Sequence, residues 1–193
     1  MNYLSVENLE KNYGERVLFE GLTFGLGLGD KMALIANNGT GKTSLGELLQ
    51  KDLRLPFYDG DDFHSKENIN KMKKGKSLDD LDRQIWIRDL SKFLRIWGEK
   101  DGAILACSAL KESYRKILTS KLKSKINWII LYGKYEIILN RVRKRKNHYF
   151  KAELLNSQYS QLELPNYGLH YNVELPIKNI AKEIVLRFNN EII

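Results

Sequence analysis

Eight consecutive residues carry the most recognisable chemistry in this sequence, Ala36-Asn37-Asn38-Gly39-Thr40-Gly41-Lys42-Thr43. They follow the apolar run 32–35 and precede a helix-like pattern at 44–49. Glycines let such a loop curl with its N–H groups inward, and the start of the next helix adds positive potential, so the stretch predicts a phosphate-binding loop. Lys42 would contact the β- and γ-phosphates, and the Thr43 hydroxyl would contact Mg²⁺. The strict pattern has glycine where this chain has Ala36, so the match is one residue short.

Two carboxylates follow the next predicted strand, at Asp59 and Asp61. Ligands of an open parallel sheet bind at the carboxyl ends of its strands, so both side chains are expected opposite the bound phosphates. There one carboxylate can hold Mg²⁺ while the other accepts a proton from an attacking hydroxyl. The alternative is an acidic turn that caps the following helix, a role that Asp62 would fill equally well.

Basic residues cluster later in the chain, at Arg141, Arg145, Lys146 and His148. Transfer of a phosphoryl group needs positive charge near the moving phosphate and exclusion of water, so this segment predicts a lid. The alternative is a solvated basic face of an outer helix. His64 and His148 lie far apart with no matching cysteines, so we expect hydrogen-bonding roles rather than a zinc site.

The order of apolar runs predicts an α/β fold. From residue 31 onward strands and helices alternate, which indicates a mostly parallel sheet of five strands with helices on both faces. The predicted strands are 32–35, 55–58, 103–107, 128–131 and one near 171–173. Helical segments at 66–74 and 79–97 predict a helical insert over the substrate site. Residues 1–30 contain short β-like pieces separated by glycines, which predict a small antiparallel ribbon.

Composition narrows the class of protein. A chain of 193 residues with 42% hydrophobic and 29% charged residues fits one globular α/β domain with a modest addition. No apolar run approaches the roughly 18 residues of a membrane span, and no export signal is visible, so we expect a cytoplasmic protein. The single cysteine, Cys107, excludes an internal disulfide and lies in a predicted buried strand, where packing is its expected role.

The net charge of +8 is compatible with nucleic acid, with an enzyme acting on anions, or with a solvated lysine surface. The basic run 71–76 lacks the interleaved aromatic residues of a single-strand binding surface. We therefore do not expect nucleic acid as a partner.

From residue 46 onward, ordered motifs resemble the gluconate kinases of the shikimate-kinase-like P-loop group. They are Phe57-Tyr58-Asp59-Gly60-Asp61-Asp62-Phe63-His64, Asn68-Ile69-Asn70-Lys71-Met72, Asp82-Arg83, Cys107-Ser108-Ala109-Leu110-Lys111 with Tyr114-Arg115, and the stretch from Arg145 to Lys151 through Leu154-Leu155-Asn156-Ser157-Gln158-Tyr159.

The resemblance implies a P-loop kinase with ATP and Mg²⁺ as cofactors and D-gluconate as the substrate, phosphorylated to 6-phosphogluconate. It implies that Asp61 is the base on the 6-hydroxyl and that Asp59 lies near Mg²⁺. It also implies substrate-binding roles for a set of later residues, and catalytic roles in the lid for two arginines. The implied substrate residues are His64, Arg83, Lys111 and Arg115, and the lid arginines are Arg141 and Arg145.

The front of the chain resembles the start of a soluble ABC-F type ATPase. The resemblance rests on Leu4-Ser5-Val6-Glu7-Asn8-Leu9, Lys11-Asn12-Tyr13-Gly14, Gly29-Asp30-Lys31 and the loop through Leu45. It implies that Tyr13 stacks on adenine. The signature and acidic strand of such an ATPase are not found, so the chain is interpreted as an ABC-like extension (1–30) joined to a kinase domain (31–193), with an insert at 64–100 and a lid at 141–160.

Three other outcomes stay open from the sequence. One is a kinase for another small anionic hydroxy-compound, and another is a non-catalytic nucleotide-binding or ribosome-associated module. The third is a fusion that folds poorly and has no activity. The oligomeric state is also undecided, with a homodimer as one option.

Overall fold

The computed structural model describes residues 2–13, 16–27, 30–123, 125–145 and 150–190, and only the backbone of 2–13, 16–27, 189 and 190. Strands β1 (Asn2–Tyr13) and β2 (Arg16–Gly27) pair antiparallel as a two-stranded ribbon, as the sequence predicts. Lys146 and His148 of the predicted lid lie outside the described residues. The side chain of Tyr13 is likewise outside the described part of the chain.

Five further strands form one parallel sheet. They are β3 (Lys31–Ile35), β4 (Phe57–Asp59), β5 (Ala103–Cys107), β6 (Asn127–Tyr132) and β7 (Leu169–Asn172), in the order β4-β5-β3-β6-β7. The fold class is confirmed, and every pairing in this sheet is parallel. Strand β4 begins two residues later than predicted, after Pro56. Proline lacks the N–H that a strand interior needs.

In the part of the chain that the structure describes, seven α-helices connect and cover these strands. Their bounds are α1 (Lys42–Leu53), α2 (Lys66–Lys73), α3 (Asp80–Lys100), α4 (Glu112–Thr119), α5 (Tyr135–Lys144), α6 (Leu155–Gln161) and α7 (Ile177–Asn190). Short 3-10 helices span Gly60–Phe63 and Ala152–Leu154. Within the described residues, no helix combines the length and apolarity needed to cross a lipid bilayer.

Alternate side chains of the strands enter two separate cores, because successive residues of a strand face opposite sides of its sheet. Met32 and Leu34 belong to the core shared with α1, α5 and α7. Ala33 and Ile35 belong to the core shared with α3 and α4. Helices therefore lie on both faces, and the carboxyl ends of β3, β4 and β5 are left at one edge of the sheet.

Helix α3 buries a stripe that includes Trp86, Leu90 and Leu94. Leu81 and Ile85 are apolar residues of the same helix, but they are 67% and 55% exposed. Both residues lie outside the face of α3 that packs against the sheet. Their apolar character is therefore not explained by packing within the described chain.

Cys107 is fully buried at the end of β5, as predicted. Burial in apolar surroundings raises the pKa of its thiol to about 12. The thiolate, which is the reactive form, is thus suppressed at neutral pH.

Candidate active site

The phosphate loop connects β3 to α1 at the centre of the sheet. Ala36, which replaces the first glycine of the strict pattern, is fully buried in the core and needs no unusual backbone conformation. Gly39 is required, since its φ is +88° and a β-carbon there would lie 2.4 Å from Cγ2 of Val142. The loop is thereby packed closely against α5.

Lys42 is held inside its own loop. Its Nζ donates to the carbonyl oxygen of Asn37 and to Oδ1 of Asn38, both at 3.2 Å. The pKa of Lys42 is lowered chiefly because the ammonium is buried, while the carboxylates of Asp61 and Asp59 act in the opposite direction. Thr40 completes the turn by donating to the Asn37 carbonyl at 2.9 Å.

Asp59 joins the loop to the end of β4. The Thr43 hydroxyl donates to Oδ2 of Asp59 at 2.6 Å, while Oδ1 accepts from the Asp61 amide at 3.0 Å. The second contact caps the 3-10 helix that starts at Gly60. Asp59 therefore caps the 3-10 helix, and the next α-helix, α2, is capped by Ser65, so Asp62 caps neither of them.

A cavity of about 10 Å³ lies on one side of the loop, next to Asn38, so a sugar acid can enter it only if the surrounding side chains move apart. Its other lining residues include His64, Arg83, Ser108 and Gln158. Arg83 is 6% exposed, and its Nε donates to the Leu78 carbonyl at 3.2 Å. This cavity brings together two residues that the resemblance implied for substrate binding, His64 and Arg83.

His64 stacks on Trp86 with ring centroids 4.4 Å apart, and its Nδ1 is buried with no hydrogen-bond partner among the described residues. Burial, and then the charge of Arg83, lower the pKa of His64 to about 4, so the ring is neutral at pH 7. The indole of Trp86 also donates to the Gly60 carbonyl at 2.8 Å. Trp86 therefore fixes both ends of the acidic turn, a role that the sequence did not reveal.

A second cavity, of about 390 Å³, lies on the opposite side of the loop. Thr40, Gly41 and Ser44 line it from the loop and α1, and residues 173–177 line it from the segment after β7. Arg141 also lines it and donates from Nη2 to the Val173 carbonyl at 2.8 Å. Arg145, at the end of α5, is close enough for its charge to lower the pKa of buried Lys42 further.

Lys111 and Arg115 are not brought into the cavity beside Asn38. Lys111 pairs with Asp80 at 2.7 Å, and Tyr114 donates to the same carboxylate. Arg115 is 1% exposed, and its N–H groups donate hydrogen bonds to partners inside the fold. Its partners are the carbonyl oxygens of Ala109, Leu110 and Glu163, the Glu112 carboxylate and the Tyr167 hydroxyl. In this conformation Arg115 supports the β5–α4 connection rather than a ligand.

The residues present fit Mg²⁺ at one place. In the part of the chain that the structure describes, no group of three or more His, Cys, Asp or Glu side chains forms a metal cluster. The adjacent Thr43 hydroxyl and Asp59 carboxylate nevertheless supply hard oxygen atoms beside the phosphate loop. Mg²⁺ in phosphate-transfer sites takes one or two protein oxygens and completes its shell with phosphate and water.

A phosphate loop at the centre of a parallel five-stranded sheet, with its threonine bonded to a carboxylate at the end of β4, the next strand along the chain, defines a P-loop kinase. The shikimate kinase family model matches residues 38–188. This match covers most of the sheet, both cavities and all seven α-helices in whole or in part, and it begins inside the phosphate loop.

Comparison with related proteins identifies the family within this class of kinases. The chain is 37% identical over 165 residues to a probable gluconokinase of Dictyostelium discoideum, covering 80% of this chain and 82% of that one. It is 36% identical over 138 residues to the thermosensitive gluconokinase of Escherichia coli strain K12, covering 71% and 73%. A crystal structure of a gluconokinase from Sinorhizobium meliloti 1021 aligns with a TM-score of 0.75 and 29% identity, over 85% and 95% of the two chains. This chain belongs to the gluconokinase family.

Proposed function

We propose that this protein is an ATP-dependent gluconokinase, which transfers the γ-phosphate of ATP to the 6-hydroxyl of D-gluconate and releases 6-phospho-D-gluconate. The observation that carries the proposal is the placement of two cavities on opposite sides of one phosphate loop. One is lined by the buried Arg83, whose charge can bind an anionic acceptor once the cavity opens. The relatives named gluconokinase support this choice of acceptor.

The nucleoside of ATP is assigned to the cavity lined by Thr40, Gly41 and Arg141. The triphosphate then runs along the loop, with the amides and Lys42 around its phosphates. The cofactor-binding residues proposed here are those of the predicted loop, 36–43. The stacking of Tyr13 on adenine stays a prediction, because its side chain lies outside the described residues.

The carboxylate of gluconate is assigned to Arg83. Its guanidinium is buried and carries a permanent charge, and arginine binds carboxylates through paired hydrogen bonds. Neutral His64 has an unpartnered Nδ1 at the same cavity and can bond a substrate hydroxyl without adding a charge. Lys111 is also a proposed substrate residue, and it would contact gluconate after release from Asp80.

Asp61 is the proposed general base, which removes the proton of the 6-hydroxyl as that oxygen attacks the γ-phosphorus. Its carboxylate lies near enough to Lys42 to favour the charged ammonium there. Lys42, Arg141 and Arg145 would stabilise the negative charge of the transferring group. Thr43 and Asp59 are the proposed protein ligands of Mg²⁺, which when bound neutralises phosphate charge.

The division of the chain is also a proposal: an ABC-like ribbon (1–30) and a kinase domain (31–193), with an insert (64–100) and a lid (141–160). Two ion pairs of Lys71 support the insert as a unit, because they join α2 to Asp79 and Asp82 at the start of α3. Asp80 pairs with Lys111, which lies outside the insert at the start of α4.

Cytoplasmic location and a homodimer are further proposals. The first rests on the single unpaired cysteine, which suits a reducing compartment. The second draws support from three exposed apolar residues on one face of α3, Leu81, Ile85 and Ile96. Light scattering on the purified protein tests the second, and a monomer at all concentrations contradicts it.

The test is a coupled assay in which protein, ATP, Mg²⁺ and gluconate feed 6-phosphogluconate dehydrogenase, with NADPH as the readout. Asp61→Asn should lower kcat at least ~100-fold, the scale of general base catalysis. Asp62→Asn, at the neighbouring carboxylate, is the matched control and should stay within about fivefold of the parent.

Absence of product at high protein concentration would refute the proposal. A panel of other sugar acids and shikimate then separates a different acceptor from no turnover at all. ATP binding without turnover on any acceptor would favour the non-catalytic module.

A further inference from the structure

Helix α6 makes a direct hydrogen bond to the phosphate loop. Oε1 of Gln158 accepts from the backbone N–H of Asn38 at 2.8 Å, across 120 residues of sequence. Gln158 is 3% exposed, so the bond is shielded from water. A bond to a buried backbone donor is costly to lose, because the amide is then left without a partner.

The helix that presents Gln158 is itself held firmly. Leu154 and Leu155 are buried in the core at its start. The hydroxyl of Tyr159 donates to the Gly133 carbonyl at 2.9 Å, just after β6. Because these contacts hold α6 in place, Gln158 can fix the position of the phosphate loop.

The contact continues to the phosphate-binding lysine. Asn38 receives Gln158 at its backbone amide, and its side-chain Oδ1 accepts from Nζ of Lys42 at 3.2 Å. Gln158, Asn38 and Lys42 thus form one chain of hydrogen bonds from α6 to the ammonium. Every link in it is buried.

The position of this chain along the loop is specific. Asn38 and Gln158 line the cavity that also contains His64 and Arg83, whereas Thr40, Gly41 and Ser44 line the cavity on the other side. The front half of the loop therefore faces the proposed acceptor, and the rear half faces the proposed nucleoside. A perturbation at Gln158 should act on the transferring phosphate more than on the rest of the nucleotide.

We propose that Gln158 is a positioning residue for phosphoryl transfer, which holds Asn38 and through it Lys42 in the geometry that the γ-phosphate requires. The inference rests on the proposed kinase function. It also supplies a physical link between the phosphate loop, which resembles that of ABC-type ATPases, and the kinase body. Small displacements at such a site are expensive, since catalysis depends on close alignment of the reacting atoms.

Gln158→Met tests the proposal, because methionine has a similar length and no hydrogen-bond acceptor of comparable strength. We expect kcat to fall about tenfold, a smaller change in KM for gluconate, and a dissociation constant for ADP within twofold of the parent. Hydrogen exchange at the Asn38 amide, followed by NMR without substrate, should become faster. Gln161→Met on the same helix is the control, because within the described residues Gln161 donates to the Ser157 hydroxyl of its own helix and not to the phosphate loop, and this variant should retain the parent's kcat and exchange rate.

A double variant with Asn38→Ala adds a readout that a general structural role would not move. If the two residues act in one chain, the combined loss of kcat is smaller than the product of the single losses. Should Gln158→Met not fold, Gln158→Asn removes the same bond with a shorter amide and carries the same expectations.

Parent-like kcat together with faster exchange at Asn38 would overturn the proposal, as would loss of ADP affinity as large as the loss of kcat. ADP binding and amide exchange need no turnover, so failure of gluconate phosphorylation is distinguishable from failure of this inference.

Discussion

Replacing Arg83 with methionine tests the assigned acceptor site most sharply. The change keeps much of the apolar stem but removes a charge that is 6% exposed and lines the cavity beside Asn38. A hydrogen bond to a charged group contributes about 1.5 to 3 kcal/mol. At about 1.4 kcal/mol for each factor of ten, KM for gluconate should rise about 10- to 150-fold.

The assay compares gluconate with sorbitol, the uncharged polyol of the same carbon skeleton, and follows ADP release so that both acceptors are measured alike. The variant should lose its preference for the acid while its rate with sorbitol stays near that of the parent. The KM of Arg83→Lys for gluconate should fall between those of the parent and of Arg83→Met, since lysine keeps the charge without the planar pair of donors. Arg88→Met, at an exposed arginine of the same helix, is the matched control.

Two results would refute the assignment. One is a KM for gluconate within threefold of the parent. The other is an equal loss of activity with gluconate and sorbitol, which would indicate that Arg83 supports the fold through its bond to the Leu78 carbonyl instead of binding the acid.

Two further perturbations test other parts of the site. His64 has a pKa of about 4 in the folded protein against about 6.5 when unfolded, so the unfolded state binds more protons between these values and stability should fall as pH drops through this window. Denaturant titration should show that His64 lowers the free energy of unfolding by about 2 kcal/mol between pH 7 and pH 5. His64→Phe keeps a ring against Trp86 and should abolish this contribution to the pH dependence. Gly39→Ala should cost about 2 to 5 kcal/mol, since it combines left-handed backbone strain with a β-carbon 2.4 Å from Val142. The double variant with Val142→Ala should recover the packing part, and a thermal melt of Gly39→Ala unchanged from the parent would contradict this reasoning.

The sheet and the loop could be predicted because they depend on local patterns. Apolar runs such as 103–107 form strands wherever they can be buried on both faces, and the loop spacing fixes Lys42 relative to β3. The pairing of Thr43 with Asp59 also follows, because parallel strands bring their carboxyl ends to one edge.

The partners of long charged side chains could not be predicted in the same way. Lys111 and Arg115 lie in a family motif, but the packing of α3 and α4 determines which groups their charged ends contact. Lys111 meets Asp80, and Arg115 turns into the fold. The contact between Gln158 and Asn38 depends on the packing of α6 against the loop, and no periodicity in the sequence indicates it.

Burial of Cys107 has a practical consequence for measuring motion in this enzyme. It is the only cysteine in the chain, and its thiol is fully buried with a pKa of about 12, so maleimide dyes should leave it unmodified under native conditions. A single cysteine introduced at the exposed Lys151 of the proposed lid could then carry a fluorophore without first removing the native one. Distance changes between that position and a labelled nucleotide would report directly whether the proposed lid closes.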